Sequence, residues 1–91
     1  MKTFGDLMSG DKIFSFNKNN HEIFIDEIIY IRFDKDRMGL KCRPILSADE
    51  CIPEFCSFIE NKYLNKSCMN SVNAFISPDE KLFFDYINEN I

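Results

Sequence analysis

Apolar residues fill both alternating sets of "HEIFIDEIIYIRF" (residues 21–33), the most strongly patterned stretch of the chain. Ile23, Ile25, Ile29, Ile31 and Phe33 fall on one side of an extended backbone, and Phe24, Ile28 and Tyr30 on the other. A strand that is apolar on both sides is covered on both faces for part of its length. Drawn out straight, this stretch would reach about 40 Å, too far for a chain of this size. A bend or bulge is therefore expected at Asp26-Glu27, where two acids break the pattern.

The neighbouring segments supply partners for that strand. Phe4 and Leu7 are spaced for one short helical turn around Asp6, Ser9-Gly10-Asp11 has turn chemistry, and "KIFSF" (12–16) predicts a strand. "NKNN" (17–20) is a polar loop, "DKDRMG" (34–39) predicts a turn, and "LKCRPI" (40–45) a returning strand whose end Pro44 places at a sheet edge. Residues 47–66 carry two readings. "SADE" (47–50) is a capping-box pattern, but Pro53 falls where a helix begun there needs its amide. A helix starting at Pro53 puts Phe55, Phe58, Ile59 and Tyr63 at helical spacing. The other reading is a strand around "CIPEF" and an irregular loop.

"NKSCMNS" (65–71) is a polar loop and "VNAFI" (72–76) predicts a short strand. "SPDE" (77–80) predicts a helix start with Ser77 as N-cap, Pro78 at N1 and Glu80 at N3, and "KLFFDYINENI" continues it to Ile91. Apolar positions of that helix sweep an arc of about 200°, wider than a core-facing stripe requires. Leu82, Phe83, Tyr86 and Ile87 form the face expected on the sheet. Phe84 and Ile91 flank it as a candidate docking surface, unless the sheet and residues 53–66 form a groove that covers both sides. The sum is an α+β fold: a small, strongly bent antiparallel sheet with a C-terminal helix, and a middle helix in one of the two readings of residues 47–66.

Composition bounds this further. The 91 residues make one domain, 1–91, and a chain so short buries only about 60–65% of its unfolded surface. Twelve Ile and ten Phe against two Ala offset the small core with bulk. The net charge of −4 is uneven: −2 over residues 1–31, +3 over 32–46 and −5 over 47–91. The only basic cluster is Arg32, Lys35, Arg37, Lys41 and Arg43, interrupted by Asp34 and Asp36. With Tyr30 or Phe33 as a stacking ring, it is a candidate nucleic-acid contact; the alternative is a solvated hairpin tip. Residues 1–10 contain an acid and two glycines and no apolar signal core, and no apolar run approaches a membrane span. The expected location is cytoplasmic, and Cys42, Cys51, Cys56 and Cys68 are expected as reduced thiols.

Site chemistry is sparse. "DKDRMG" begins like a calcium loop, with Asp34, Asp36 and Gly39 at the first, third and sixth positions, but Met38 and Ile45 stand where oxygen ligands belong. Cys51 and Cys56 lie at the outer edge of zinc-finger spacing, and Cys42 and Cys68 are unpaired, so no metal or other cofactor is expected. His21, the single histidine, has no cysteine beside it to activate. Glu27, between Ile25 and Ile29, is either a buried acid with a raised pKa that could serve as a base, or an acid turned outward by a bulge. No phosphate loop, nucleophile elbow or paired-histidine motif occurs, so an enzyme is not expected.

Phe4, Leu7, Gly10, Asp11, Ile13 and Phe14, with a looser echo in "FISPDEKLFFDYI", carry a resemblance to small SH3-like barrel proteins. More narrowly, the chain resembles short uncharacterised proteins of gut bacteria and their phages, over about a third of its length. That resemblance implies a partial barrel, and an accessory virion component or a phage factor that binds a host protein, located in the host cytoplasm or the virion. The functional expectation is a non-enzymatic interaction or structural protein whose partner is another protein or a second copy. The alternative is a nucleic-acid-binding barrel that uses the hairpin at 32–43.

Overall fold

The computed structural model describes residues 1–46 and 55–90, with backbone alone at 55–57. A 3₁₀ turn over Phe4–Asp6 is followed by β1 (Lys12–Asn17), β2 (Ile23–Asp34), β3 (Arg37–Leu46), β4 (Phe55–Glu60) and the one-turn helix α1 (Asn61–Leu64). Then come β5 (Met69–Asn70), β6 (Ala74–Ser77) and α2 (Glu80–Asn90). The strands pair antiparallel in the spatial order β4-β3-β2-β1-β6-β5. The fold is α+β, with the sheet curled into a half-barrel and a helix at the C-terminal end, as the patterning predicts. The first four strands form a meander. β6 then returns to pair with β1, from Phe14↔Ser77 to Asn17↔Ala74, so the first strand lies inside the sheet.

β2 bends where its acids interrupt the pattern. Its register with β3 slips between Ile25 and Asp26 and again between Ile28 and Tyr30, and Ile29 has no β3 partner. The second slip inverts the alternation. Ile31 joins Ile28 on the inner side of the curl, although simple alternation places it with Ile23 and Ile25, which pack on the other side. The opening turn docks on this bulge: Gly10 N–H donates to Ile28 C=O at 2.8 Å, Ile28 N–H to Asp11 C=O at 2.8 Å, and Ser9 Oγ to Ile29 C=O at 2.7 Å. Gly10 adopts φ 94°, which a side chain would oppose. The Asp11 carboxylate accepts the Met8 N–H at 2.8 Å. Gly10 and Asp11 therefore act together to launch a strand.

The sheet separates two apolar clusters. Inside the curl lie Phe4, Leu7, Ile13, Ile28, Met38, Leu40, Cys42 and Ile59, closed at the side by Tyr63 and Leu64 of α1. On the outer side, Phe14 and Phe16 of β1 and Phe75 of β6 meet Phe83 and Ile87 of α2, with Leu82 and Tyr86 packed at the margin. That is the helix face expected from periodicity. Phe84 is 36% exposed, and its ring lies edge-on to Phe14 and Phe83; Ile91 lies outside the described residues.

Several expectations need correction. No helix starts in the Phe55–Glu60 segment: it is strand β4, paired from Arg37↔Glu60 to Cys42↔Phe55, and only one helical turn follows. Pro53 and the capping pattern at 47–50 lie outside the described residues. The β2–β3 turn is only Lys35-Asp36, because Asp34 and Arg37 are already paired. Instead of one strand at 72–76, β5 and β6 form a small hairpin. The cap of α2 is Asp79, two residues later than expected: its Oδ1 accepts the Leu82 N–H at 2.9 Å. Ser77 makes the preceding turn, its buried Oγ accepting the Asp79 N–H at 3.0 Å. No helix of the described residues is long and apolar enough to cross a membrane.

Candidate functional site

α2 covers the outer side of the sheet over β1, β6 and the start of β2, and leaves the outer side of the rest of β2 and of β3–β4 open among the described residues. Cross-strand partners share a face, so the register defines what this open surface carries. One row is Arg32↔Gly39↔Phe58; the rows beside it begin with Tyr30↔Lys41 and with Asp34↔Arg37↔Glu60. The intervening residues Ile31, Leu40, Met38 and Ile59 point into the curl. Tyr30 is 55% exposed and Phe58 46%, large areas for aromatic rings.

Gly39 shapes the centre of this surface. Its backbone is buried because the Phe58 ring lies over it: a Cβ built there would stand 3.1 Å from Phe58 Cε1. The missing side chain lets the Phe58 ring settle on the strand, and beside the ring is a hollow of about 140 Å³, lined by Tyr30, Arg32, Gly39, Leu40, Lys41 and Phe58. The Arg32 and Arg37 guanidinium carbons lie 5.7 and 5.3 Å from the Phe58 ring centre, within cation–π range. Among the described residues, neither guanidinium takes part in an ion pair.

The five basic residues singled out from the sequence thus divide. Arg32, Arg37 and Lys41 converge on the open face. Arg43 is tied to Glu27, with Nη2–Oε1 at 2.8 Å and Nε–Oε1 at 3.0 Å. Lys35 sits in the two-residue turn, where its carbonyl accepts from Asn61 Nδ2 at 3.2 Å. Phe33 pairs with Met38 on the opposite face from Tyr30 and cannot form a common stacking surface with it. Phe58 is the ring that does, and its helical spacing with Phe55, Ile59 and Tyr63 concealed it.

Glu27 lies on the outer side of the sheet with Ile25, opposite Lys12 of β1, and meets Arg43 there; the buried acid is its neighbour. Asp26 is 5% exposed, facing Ile13 of β1 and Pro44 of β3, and the loss of solvation raises its pKa to about 6. Among the described residues, no cluster of three His, Cys, Asp or Glu stands ready for a metal. Cys42 lies inside the curl and Cys68 beside the outer cluster, on opposite sides of the sheet. The side chains of Cys51 and Cys56 are outside the described residues. A larger cleft, about 580 Å³, runs along α2 past Phe75 and Tyr86. Two of its three carboxylates are committed: Asp79 accepts from Leu82 and Lys2 backbone N–H groups, and Asp85 pairs with Lys81 at 3.0 Å. No protein-family model, curated protein or solved structure matches the chain.

Proposed function

We propose that this chain is a non-enzymatic interaction protein that docks another protein onto the outer face of β2–β4. The observation that carries the reading is the cluster of Tyr30, Arg32, Arg37 and Phe58 around the hollow at Gly39, on the half of the outer sheet that α2 leaves open. Tyr, Trp and Arg are the residue types that dominate binding energy at protein interfaces. Phe84, with its ring edge-on to two others, offers less free surface and serves at most as the margin of such an interface. The resemblance to short phage and gut-bacterial proteins makes an accessory virion component, or a phage factor that binds a host protein, the concrete version of this role. A photoreactive phenylalanine analogue at position 58 tests the reading in extract of the source cells. It should give one dominant protein adduct, identified by mass spectrometry, that the same group at the 88%-exposed Val72 does not give. Identical adduct profiles from both positions would sink it.

A second reading, single-stranded nucleic-acid binding, draws on the convergence of Arg32, Arg37 and Lys41. It is weaker for two reasons: guanidinium groups lie over the Phe58 ring, and Glu27 occupies Arg43. Retention on a single-stranded DNA column at low salt, lost with added salt and on Arg37→Glu or Lys41→Glu, is its signature. Absence of retention at low salt removes it.

A further inference from the structure

Resting on the protein-docking reading above, we infer that the partner presents a short acidic segment. One apolar side chain of that segment seats in the hollow beside Gly39 and Phe58, and an adjacent carboxylate pairs with the Arg32 and Arg37 guanidinium groups. The size of the hollow selects the first group. About 140 Å³ is the room a single benzene-sized group fills, and the walls are the Tyr30 and Phe58 rings with the Arg32 and Lys41 stems. The arginines select the second. Both guanidinium groups lie within cation–π range of the Phe58 ring, and a guanidinium carries its N–H donors in a fork that matches a carboxylate. Both arginines are exposed and in no ion pair with a described residue. They lie in the one stretch of net charge +3 within a chain of net charge −4, so charge complementarity favours an acidic partner.

The surroundings limit how far the acidic segment extends. Asp34 and Glu60 flank Arg37 in its own row, and the Glu27–Arg43 pair closes the far end of the face. A polyanion with a charge at every repeat, such as a nucleic-acid strand, would run from the two arginines onto these carboxylates. A peptide with one or two acids beside an apolar residue meets only the arginines and the hollow.

The test uses the whole chain and a fluorescein-labelled eight-residue peptide of aspartate and glutamate with one central leucine. Controls are the same peptide with serine for leucine, a lysine version, and oligothymidine. The expected result at low salt is saturable binding of the leucine peptide, with amide shifts at Arg32, Gly39 and Phe58 in ¹⁵N spectra. Arg32→Glu, and separately the milder Arg32→Gln, should weaken it by about tenfold or more while the spectrum stays folded. The serine peptide should bind about tenfold more weakly and the lysine peptide not at all. Absence of saturable binding, equal binding of the lysine peptide, or shifts confined to the Phe84 flank overturns the inference. Oligothymidine binding with the same shifts would reassign the face to nucleic acid. Self-association of the free chain that Arg32→Glu abolishes would identify a second copy as the occupant and likewise overturn it. If the position-58 adduct forms but the acidic peptide does not bind, the docking reading stands and only the partner's chemistry fails.

Discussion

Asp26 sets a pH dependence that runs against the usual carboxylate behaviour. Its pKa is about 6 in the folded chain and near 3.8 when solvated. Below pH 3.8 both forms hold the proton, and the group contributes no difference. Between 3.8 and about 6 the folded chain keeps a proton that the unfolded chain releases, so stability falls as pH rises. Integrated, the loss is about 3 kcal/mol at most, complete above pH 6. Asp6 and Asp79 have the opposite sign. Backbone N–H donors, from Thr3 to Asp6 and from Leu82 to Asp79, hold both below the ordinary value, so their contribution is present above pH 3.8 and is lost as pH falls through the lowered values. Urea midpoints should therefore peak in mildly acid solution and decline toward neutrality, and Asp26→Asn should flatten the decline between pH 4 and 7 whatever it does to the absolute midpoint. An unchanged slope in the variant would assign the decline to another group. Gly10 permits a sharper test of backbone demand. At φ 94° with open space around its Cα, Gly10→Ala should cost about 1–2 kcal/mol through conformation alone, seen as a lower urea midpoint with unchanged m-value.

The caps and faces of α2 show what can be read locally. Asp79→Ala removes the acceptor for both the Leu82 and Lys2 amides and should cost about 1–2 kcal/mol in thermal or urea unfolding. Phe83→Ala, in the sealed outer cluster, should cost about 3–5 kcal/mol, and Phe84→Ala, at its margin, about 1 kcal/mol. Equal losses at the two positions would show that Phe84 is also core. The α2 face, β1 and the bend in β2 were legible because each rests on periodicity or on a break within one segment. β4 was not. Phe55, Phe58 and Ile59 suit a helix by spacing, and only pairing with β3, distant in sequence, makes Phe58 an outer and Ile59 an inner residue. The candidate surface inherits that limit: Arg32, Arg37 and Lys41 could be placed on one hairpin, whereas the ring that organises them comes from the strand that pairs beside it. The remaining discrepancy has a similar origin: alternation places Glu27 on the outer side with Ile25, and only the tertiary arrangement leaves that end of the face to Arg43 while Asp26 turns inward beside Ile13.

For the molecule as a whole, the sheet is a partition with apolar material on each side. The inner cluster depends on the N-terminal turn: Phe4 is fully buried and Leu7 nearly so, the Phe4 N–H donates to Lys66 C=O at 3.2 Å, and the Lys2 N–H donates to Asp79 at the start of α2. Phe4→Ala should cost about 3–5 kcal/mol, a large share of the stability of so small a fold, and circular dichroism should show the whole sheet melting earlier. Because the partition separates the two clusters, the losses from Phe4→Ala and Ile87→Ala should add to within about 0.5 kcal/mol. β1 occupies the middle of this partition, bonded on one side to β2 and on the other to β6, with Ile13 turned inward and Phe14 and Phe16 turned to the helix. Its amides are out of reach of solvent from four directions at once. Transferred into heavy water, the chain should therefore release the protons of Ile13 to Phe16 last, at the rate of global unfolding, long after those of the β5–β6 hairpin. The clock of the whole fold is thus kept by four residues of one six-residue strand, β1.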